Sequence, residues 1–157
     1  FTHNPRFGYL FFLSQMKSGD TRDMWNEVLK IIFYILAIVG IIVISKQKTW
    51  WKKAAMLVSI IILLPTNSGF YCGLYLFPIV VLFFNEEKHN WLDILYMLSM
   101  LVILNPFQLM TKKGVNITLT AANIAMFVFA GLLLIDNIVN FIRVLIEQRR
   151  MKGALPD

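Results

Sequence analysis

The chain has 157 residues, of which 58% are hydrophobic and only 15% are charged. Because a soluble domain carries about 25% charged residues, this composition excludes an ordinary water-soluble domain and indicates a protein of the lipid bilayer. The net charge of +6 is typical of loops that face lipid headgroups, and we expect no nucleic-acid partner. A single cysteine, Cys72, excludes an internal disulfide or a thiolate metal cluster.

The first apolar stretch, residues 7–16, is too short to cross a membrane. Ten helical residues rise about 15 Å, which is half of a hydrocarbon core of about 30 Å. We therefore predict a short N-terminal helix that is interfacial or re-entrant, with both of its ends on the same side of the membrane.

The rest of the chain predicts a bundle of membrane helices. Residues 25–45 form the clearest span, and a long final span begins near Ile117 and extends past Asp136 into the cytoplasm. The fold class predicted is all-α, a polytopic transmembrane helix bundle with about five membrane helices plus the short N-terminal helix. It forms a single domain over residues 1–157, which we expect to be the C-terminal fragment of a longer membrane protein. The predicted spans are 25–45, 50–64, 70–84, 91–110 with a kink at Pro106, and 117–146.

A polar break with two prolines and two glycines separates two short apolar runs between Leu64 and Pro78. As helices, residues 50–64 and 70–84 each rise about 22 Å, less than the hydrocarbon core. If both start at the cytoplasmic face, residues 66–69 lie below the opposite surface, where irregular backbone persists only inside protein or against water. The break therefore indicates a cavity, as interrupted helices do in transporters, or a tight loop between two short, tilted helices.

The positive-inside rule orients the bundle. With loop 46–53 and the C-terminus in the cytoplasm, nine Lys and Arg residues lie inside and five outside. Loop 65–70 is then extracytoplasmic, and we expect an integral protein of a bacterial plasma membrane. His3 and His89 fall on opposite sides, so they cannot share a metal ion.

Candidate binding residues gather on the extracytoplasmic side. Cations there would hold the phosphate of a lipid carrier or contact lipid headgroups only. Tyr71 and Tyr75, four residues apart, would form a ring platform for a sugar or belong to an aromatic belt. The candidate substrate-binding residues are Arg6, Asn67, Ser68, Tyr71, Tyr75, Lys112 and Lys113.

No motif of a soluble enzyme is present: the chain has neither a phosphate-cradling glycine loop nor a nucleophile elbow. A polar set at 136, 140, 143 and 147 lies on one helical face, as a proton relay would. At the cytoplasmic end of an over-long helix, we expect it to be a solvated stripe. We assign no catalytic and no metal-binding residue.

Two short stretches of the chain resemble a known family. Residues 65–71 (PTNSGFY) followed by 76–82 (LFPIVVL) resemble the late helices of polytopic GT-C glycosyltransferases. These are mannosyl- and arabinosyltransferase-like enzymes that use polyprenyl-phosphate sugars. Residues 3–7 (HNPRF) are similar to the Asn-x-Ser-Phe stretch that opens a short extracytoplasmic helix in that family, with Arg6 in place of the serine.

The resemblance implies that this chain is the C-terminal membrane half of such an enzyme. Its partners would be membrane lipids, the lipid-linked sugar donor and the N-terminal half of the same protein. The catalytic acidic residue would lie outside this chain, which would supply the scaffold and cavity and hold no cofactor; a divalent metal in the full enzyme stays open. Whether the protein is an enzyme also stays open, because half of a transporter or flippase, an O-antigen-polymerase-like protein or a structural membrane subunit would fit the same pattern.

Overall fold

The computed structural model of the protein describes residues 8, 13, 19–64, 70–105, 109 and 117–153. Within these ranges the chain is helical and contains no strand, which confirms the all-α prediction. A 3-10 helix, Phe70–Leu76, leads directly into α3. The α-helices are α1 (Asp20–Ile44), α2 (Trp50–Leu63), α3 (Phe77–Phe84), α4 (Asp93–Ile103) and α5 (Ile117–Gly153).

Two of these helices are long and apolar enough to cross a membrane. They are α1, with 25 residues, and α5, which meets the criterion over the 35 residues Ile117–Met151. The other helices are short, with 14 residues in α2, 8 in α3 and 11 in α4. The structure therefore has two helices of spanning length together with shorter apolar ones, and the count of about five membrane helices stays a prediction.

Helix α1 begins five residues before the predicted span of 25–45. Gly19 precedes it with a φ of 150°, and its carbonyl accepts the backbone N–H groups of Arg22 and Asp23. Asp20 and Asp23 lie in the first turn, where carboxylates favour the positive end of the helix dipole. The polar residues before the apolar run thus extend the helix at its N-terminus.

The predicted span of 91–110 is wrong as a single helix, because α4 ends at Ile103. A proline lacks the backbone N–H and disfavours helical geometry in the residue before it, so Pro106 ends the helix instead of kinking it. The chain then returns toward α5. The Leu109 N–H donates to the Thr118 hydroxyl and its carbonyl accepts the Ile117 N–H, both at 2.9 Å.

Helix α5 is the centre of the bundle and packs against α1, α2 and α4, while α2 also contacts α3. Four side chains of α5 at spacings of four, three and four are fully buried, as a helix stripe facing the core requires. They are Ala122, Met126, Phe129 and Leu133. The core is therefore one continuous layer around this stripe.

Aromatic rings close the core at one end of the bundle. The Trp51 ring lies 5.0 Å from Phe83 and 5.3 Å from Tyr96, and Tyr96 lies 5.8 Å from Phe129, all edge-to-face. These contacts join the start of α2, the end of α3 and the start of α4. Helix α4 is antiparallel to α5, because Tyr96 at its start contacts Phe129 while Leu109, beyond its end, is bonded to the first turn of α5.

Candidate functional site

Helix α5 carries two polar layers that are separated by an apolar segment. One layer contains Thr118 and Asn123, and the other contains Asp136, Asn137 and Asn140, whereas residues 124–135 have no polar side chain. The rise from Thr118 to Asn137 is about 28 Å at 1.5 Å per residue, close to the thickness of a hydrocarbon core. We call the first layer the outer end and the second the inner end, following the orientation expected from charge.

At the outer end, the N-terminal segment is hydrogen-bonded to α5 through Asn123. The Asn123 side chain is 0% exposed; its Oδ1 accepts the Gly8 N–H at 3.1 Å and its Nδ2 donates to the Leu119 carbonyl. Gly8 has a φ of 83°, and a Cβ there would lie 2.9 Å from the Leu63 carbonyl. The chain at Gly8 therefore fits between α2 and α5, while most of the predicted helix over 7–16 lies outside the described residues.

An apolar cavity of about 150 Å³ lies between α1, α2 and α5. Ser59 supplies the one polar side chain of its lining, and that hydroxyl already donates to the Ala55 carbonyl at 2.8 Å. The space beside Gly131 is empty, since a Cβ added at this glycine would have no neighbouring atom within 4 Å. The cavity is thus suited to hydrocarbon, and it ends at Leu63 and Leu64, directly before the polar break. Its lining is Phe33, Leu36, Ala37, Met56, Ser59, Ile60, Leu63, Leu64, Phe127, Ala130, Gly131 and Leu134.

Most of the predicted substrate-binding residues lie outside the described part of the chain. Tyr75 lies in the 3-10 helix and is 50% exposed; Tyr71 lies in the same helix, but its side chain is not among those described. In a 3-10 helix, residues three apart share a face and residues four apart do not. Tyr71 and Tyr75 are four apart, so the spacing argument for a ring platform, which holds for an α-helix, does not apply to this backbone. The platform stays a prediction. The residues outside the described part are Arg6, Asn67, Ser68, Lys112 and Lys113.

At the inner end, an ion pair joins α2 and α5. The Lys52 Nζ lies 2.6 Å from the Asp136 Oδ2. The same ammonium group lies 5.5 Å from the Trp51 ring and 5.8 Å from the Tyr96 ring, within range of cation–π attraction. Lys52 is therefore held by one carboxylate and two aromatic rings. Asp136 belongs to the stripe that we expected to be solvated, and this pairing corrects that expectation.

The α1–α2 turn is also hydrogen-bonded to α5. The Gln47 Nε2 donates to the Asn137 Oδ1 at 2.8 Å, and the Asn140 Nδ2 donates to the Lys46 carbonyl at 3.1 Å. The Gln47 Oε1 accepts the backbone N–H groups of Lys48 and Thr49 at 2.9 and 3.3 Å. The sequence does not mark Gln47 and Asn137 as a pair, since their amides carry no charge. Of the expected solvated stripe, Arg143 and Glu147 are exposed.

A buried carboxylate lies at the same end, at the start of α4. The Asp93 Oδ2 accepts the Asn90 N–H at 2.7 Å and lies 3.4 Å from the His89 Nδ1. Within the described residues, the Asp93 Oδ1 and the Asn137 Nδ2 are buried without a hydrogen-bond partner. No group of three or more His, Cys, Asp or Glu residues in that part of the chain is placed to hold a metal ion.

Comparison with known proteins adds no relative: no protein-family model, curated protein or solved structure matches this chain. The candidate site therefore rests on the contacts between residues of this chain. It consists of an apolar cavity that extends to Leu63 and Leu64, and of a hydrogen-bonded polar cluster that closes the inner end.

Proposed function

We propose that this chain is the membrane scaffold and lipid-linked-sugar cavity of an integral membrane glycosyltransferase. The enzyme would transfer a sugar from a polyprenyl-phosphate donor on the extracytoplasmic side. The apolar cavity carries this proposal, because it runs between α1, α2 and α5 up to Leu63 and Leu64. A polyprenyl-phosphate sugar is a hydrocarbon chain with a phosphate and a sugar at one end, so it needs an apolar slot that leads to a polar site.

The proposed topology has about five membrane helices in a bacterial plasma membrane. Helix α2 on one side, and the 3-10 helix with α3 on the other, meet at residues 65–69 below the outer surface. Loop 46–53 and the C-terminus are cytoplasmic, and loop 65–70 is extracytoplasmic. The resemblance of residues 65–82 to the GT-C family supports this arrangement, as do the short lengths of α2 and α3.

In this proposal the chain binds the donor, and the N-terminal half of the protein supplies the catalytic acidic residue. The transfer is an inverting displacement at the anomeric carbon: the bond to the acceptor oxygen forms as the bond to the phosphate oxygen breaks, and polyprenyl phosphate leaves. Arg6, Lys112 and Lys113 stabilise the charge that grows on this phosphate. Asn67, Ser68, Tyr71 and Tyr75 contact the sugar.

The experiment is a transfer assay with the full-length protein in lipid vesicles, using polyprenyl-phosphate mannose and polyprenyl-phosphate arabinose as donors. A Gly131→Phe variant fills the cavity, since space is free around Gly131. Displacing two methylene groups of the donor costs about 1.6 kcal/mol, so donor affinity should fall by more than about tenfold. The matched control is Ile124→Phe, at an exposed position of the same helix, and it should keep wild-type transfer.

The alternatives give different results in the same vesicles. Movement of the lipid-linked sugar across the membrane without transfer would indicate a transporter or flippase. Linkage of several lipid-linked glycans into a longer chain would indicate a polymerase. Absence of transfer from both donors, or an equal loss in the Ile124→Phe control, would contradict the cavity proposal.

A further inference from the structure

Three cations surround the α1–α2 turn at the inner end without a neutralising partner. Lys48 and Arg143 are exposed, and Lys46 is partly exposed. Lys52, in contrast, is paired with Asp136. Among the described residues, none of the three forms an ion pair. We call Lys46, Lys48 and Arg143 the basic turn.

The backbone of the basic turn is held in place by hydrogen bonds that leave its cationic side chains free. The Lys46 carbonyl accepts from Asn140, and the Lys48 N–H donates to Gln47, whose amide is bonded to Asn137. Arg143 follows Asn140 by three residues in α5 and therefore lies on the same helical face. The buried amides thus fix the backbone from which the Lys46 and Lys48 side chains extend, one helical turn of α5 away from Arg143.

The basic turn lies at the level of the membrane surface. Two tryptophans at this end of the bundle, Trp50 and Trp91, are each 74% exposed, as expected of an aromatic belt at a membrane interface. The Lys53 ammonium lies 4.9 Å from the Trp50 ring, so it extends along that belt. Cations and exposed indole rings at one level fit the headgroup region of a bilayer.

We propose that the basic turn binds the phosphate of an anionic phospholipid headgroup. Arg143 can donate two parallel N–H bonds to phosphate oxygens, and each lysine adds a point charge. Ile41 and Ile42 are exposed in the last turn of α1, directly before the basic turn, and offer an apolar surface to the acyl chains. The inference rests on these contacts and does not depend on the glycosyltransferase proposal.

The experiment measures phospholipid retention by the full-length protein. The protein is extracted from vesicles of phosphatidylglycerol and phosphatidylcholine, and the bound lipid is quantified by mass spectrometry. The test variant combines Lys46→Gln, Lys48→Gln and Arg143→Gln, which leave the backbone hydrogen bonds of the turn unchanged. The control combines Lys88→Gln, Arg149→Gln and Arg150→Gln, which remove the same charge from exposed positions at the same end.

Losing charge-assisted hydrogen bonds to the phosphate lowers affinity by about tenfold or more, so the test variant should retain phosphatidylglycerol at least about tenfold less well. The control should retain it as the wild type does, and phosphatidylcholine should not copurify in either case. Equal retention by the test variant, or equal loss by the control, would overturn the proposal. Displacement of the lipid by inorganic phosphate would also overturn it, because the turn would then be a site for free phosphate. The melting temperature of each variant in phosphatidylcholine, expected to be unchanged, confirms folding.

Discussion

Lys52 in α2 and Asp136 in α5 form an ion pair across 84 positions of sequence, with the Lys52 Nζ 2.6 Å from the Asp136 Oδ2. The two side chains are 14% and 29% exposed, so the pair is shielded but not fully desolvated. Together with the Gln47–Asn137 and Asn140–Lys46 hydrogen bonds, it joins α2 to the inner end of α5. This connection closes the inner end of the bundle while the cavity reaches the outer end.

Removing one member of this pair should destabilise the bundle. An Asp136→Ala variant leaves the Lys52 ammonium shielded and without its carboxylate, and breaking a buried pair in this way costs about 3–5 kcal/mol. Because both groups are partly exposed, we expect a smaller loss of about 2 kcal/mol. Unfolding of the purified protein in detergent measures it. The double variant Lys52→Met, Asp136→Leu should recover most of the loss, and a single variant as stable as the wild type would show that the pair contributes nothing.

The Gln47–Asn137 hydrogen bond should behave as one unit. Each side chain is buried, so changing either to leucine leaves the Gln47 Nε2 or the Asn137 Oδ1 without its partner and should cost about 1–3 kcal/mol. The double variant should cost less than the two single variants together, since neither of these two atoms then remains unpaired. A double-mutant cycle measures this coupling. Additive losses would mean that the two amides do not depend on each other.

Gly8→Ala should release the N-terminal segment from the outer end. A Cβ at Gly8 meets the Leu63 carbonyl, and the φ of 83° costs a non-glycine residue about 1–3 kcal/mol. We expect faster hydrogen exchange at Gly8 and at the end of α2. Gly73→Ala is the control, because a Cβ there meets no atom within 4 Å. Unchanged exchange in Gly8→Ala would argue against the hydrogen bond to Asn123.

The topology gives a prediction about sided labelling. With Cys72 replaced by serine, single cysteines introduced at Ser68 and at Lys48 should react with a membrane-impermeant reagent from opposite sides of the membrane. The cysteine at position 68 should react from the extracytoplasmic side, because loop 65–70 is expected there. Labelling of both from the same side would exclude the proposed arrangement of α2.

The presence of helices could be predicted from the sequence, whereas their ends and the contacts between them could not. Hydropathy and length predicted α1, α2 and α5, because a helix in a bilayer must be apolar over its whole span. The predicted kink at Pro106 is wrong, because α4 ends at Ile103; from sequence, a proline indicates a kink and a helix end equally well. The partners of Asp136 and Asn137 are separated from them by 84 and 90 positions. No local pattern specifies such distant pairs. The sequence of a polar stripe at a helix end is the same whether its side chains contact water or a neighbouring helix.

The candidate site was predicted only in outline. The position of the break and the short helices beside it followed from the prolines and the lengths of the apolar runs. The break indicated a cavity, but its lining could not be predicted, because Gly131, Phe33 and Leu63 come from three helices. Nothing in the sequence distinguishes Gly131 from other residues of an apolar helix. The empty space beside it results from the way α1 and α2 pack against α5.

The polar break at residues 65–69 gives one further prediction. Asn67→Leu and Tyr71→Ala in the full-length protein should each reduce sugar transfer while membrane insertion is retained, because they remove polar or aromatic contacts to the donor without adding charge. Transfer assays and carbonate extraction of membranes measure the two properties. Wild-type transfer in both variants would remove the break from the binding site.

The most direct measurement is photo-crosslinking of the full-length protein with a polyprenyl-phosphate sugar that carries a photoreactive group on its hydrocarbon chain. We predict that mass spectrometry finds the crosslinks on the residues that line the cavity, above all Leu63, Phe127 and Gly131, and that Gly131→Phe removes them. Crosslinks confined to the lipid-facing side of α1, such as Ile31 and Ile38, would contradict the proposal, as would crosslinks that persist unchanged in Gly131→Phe.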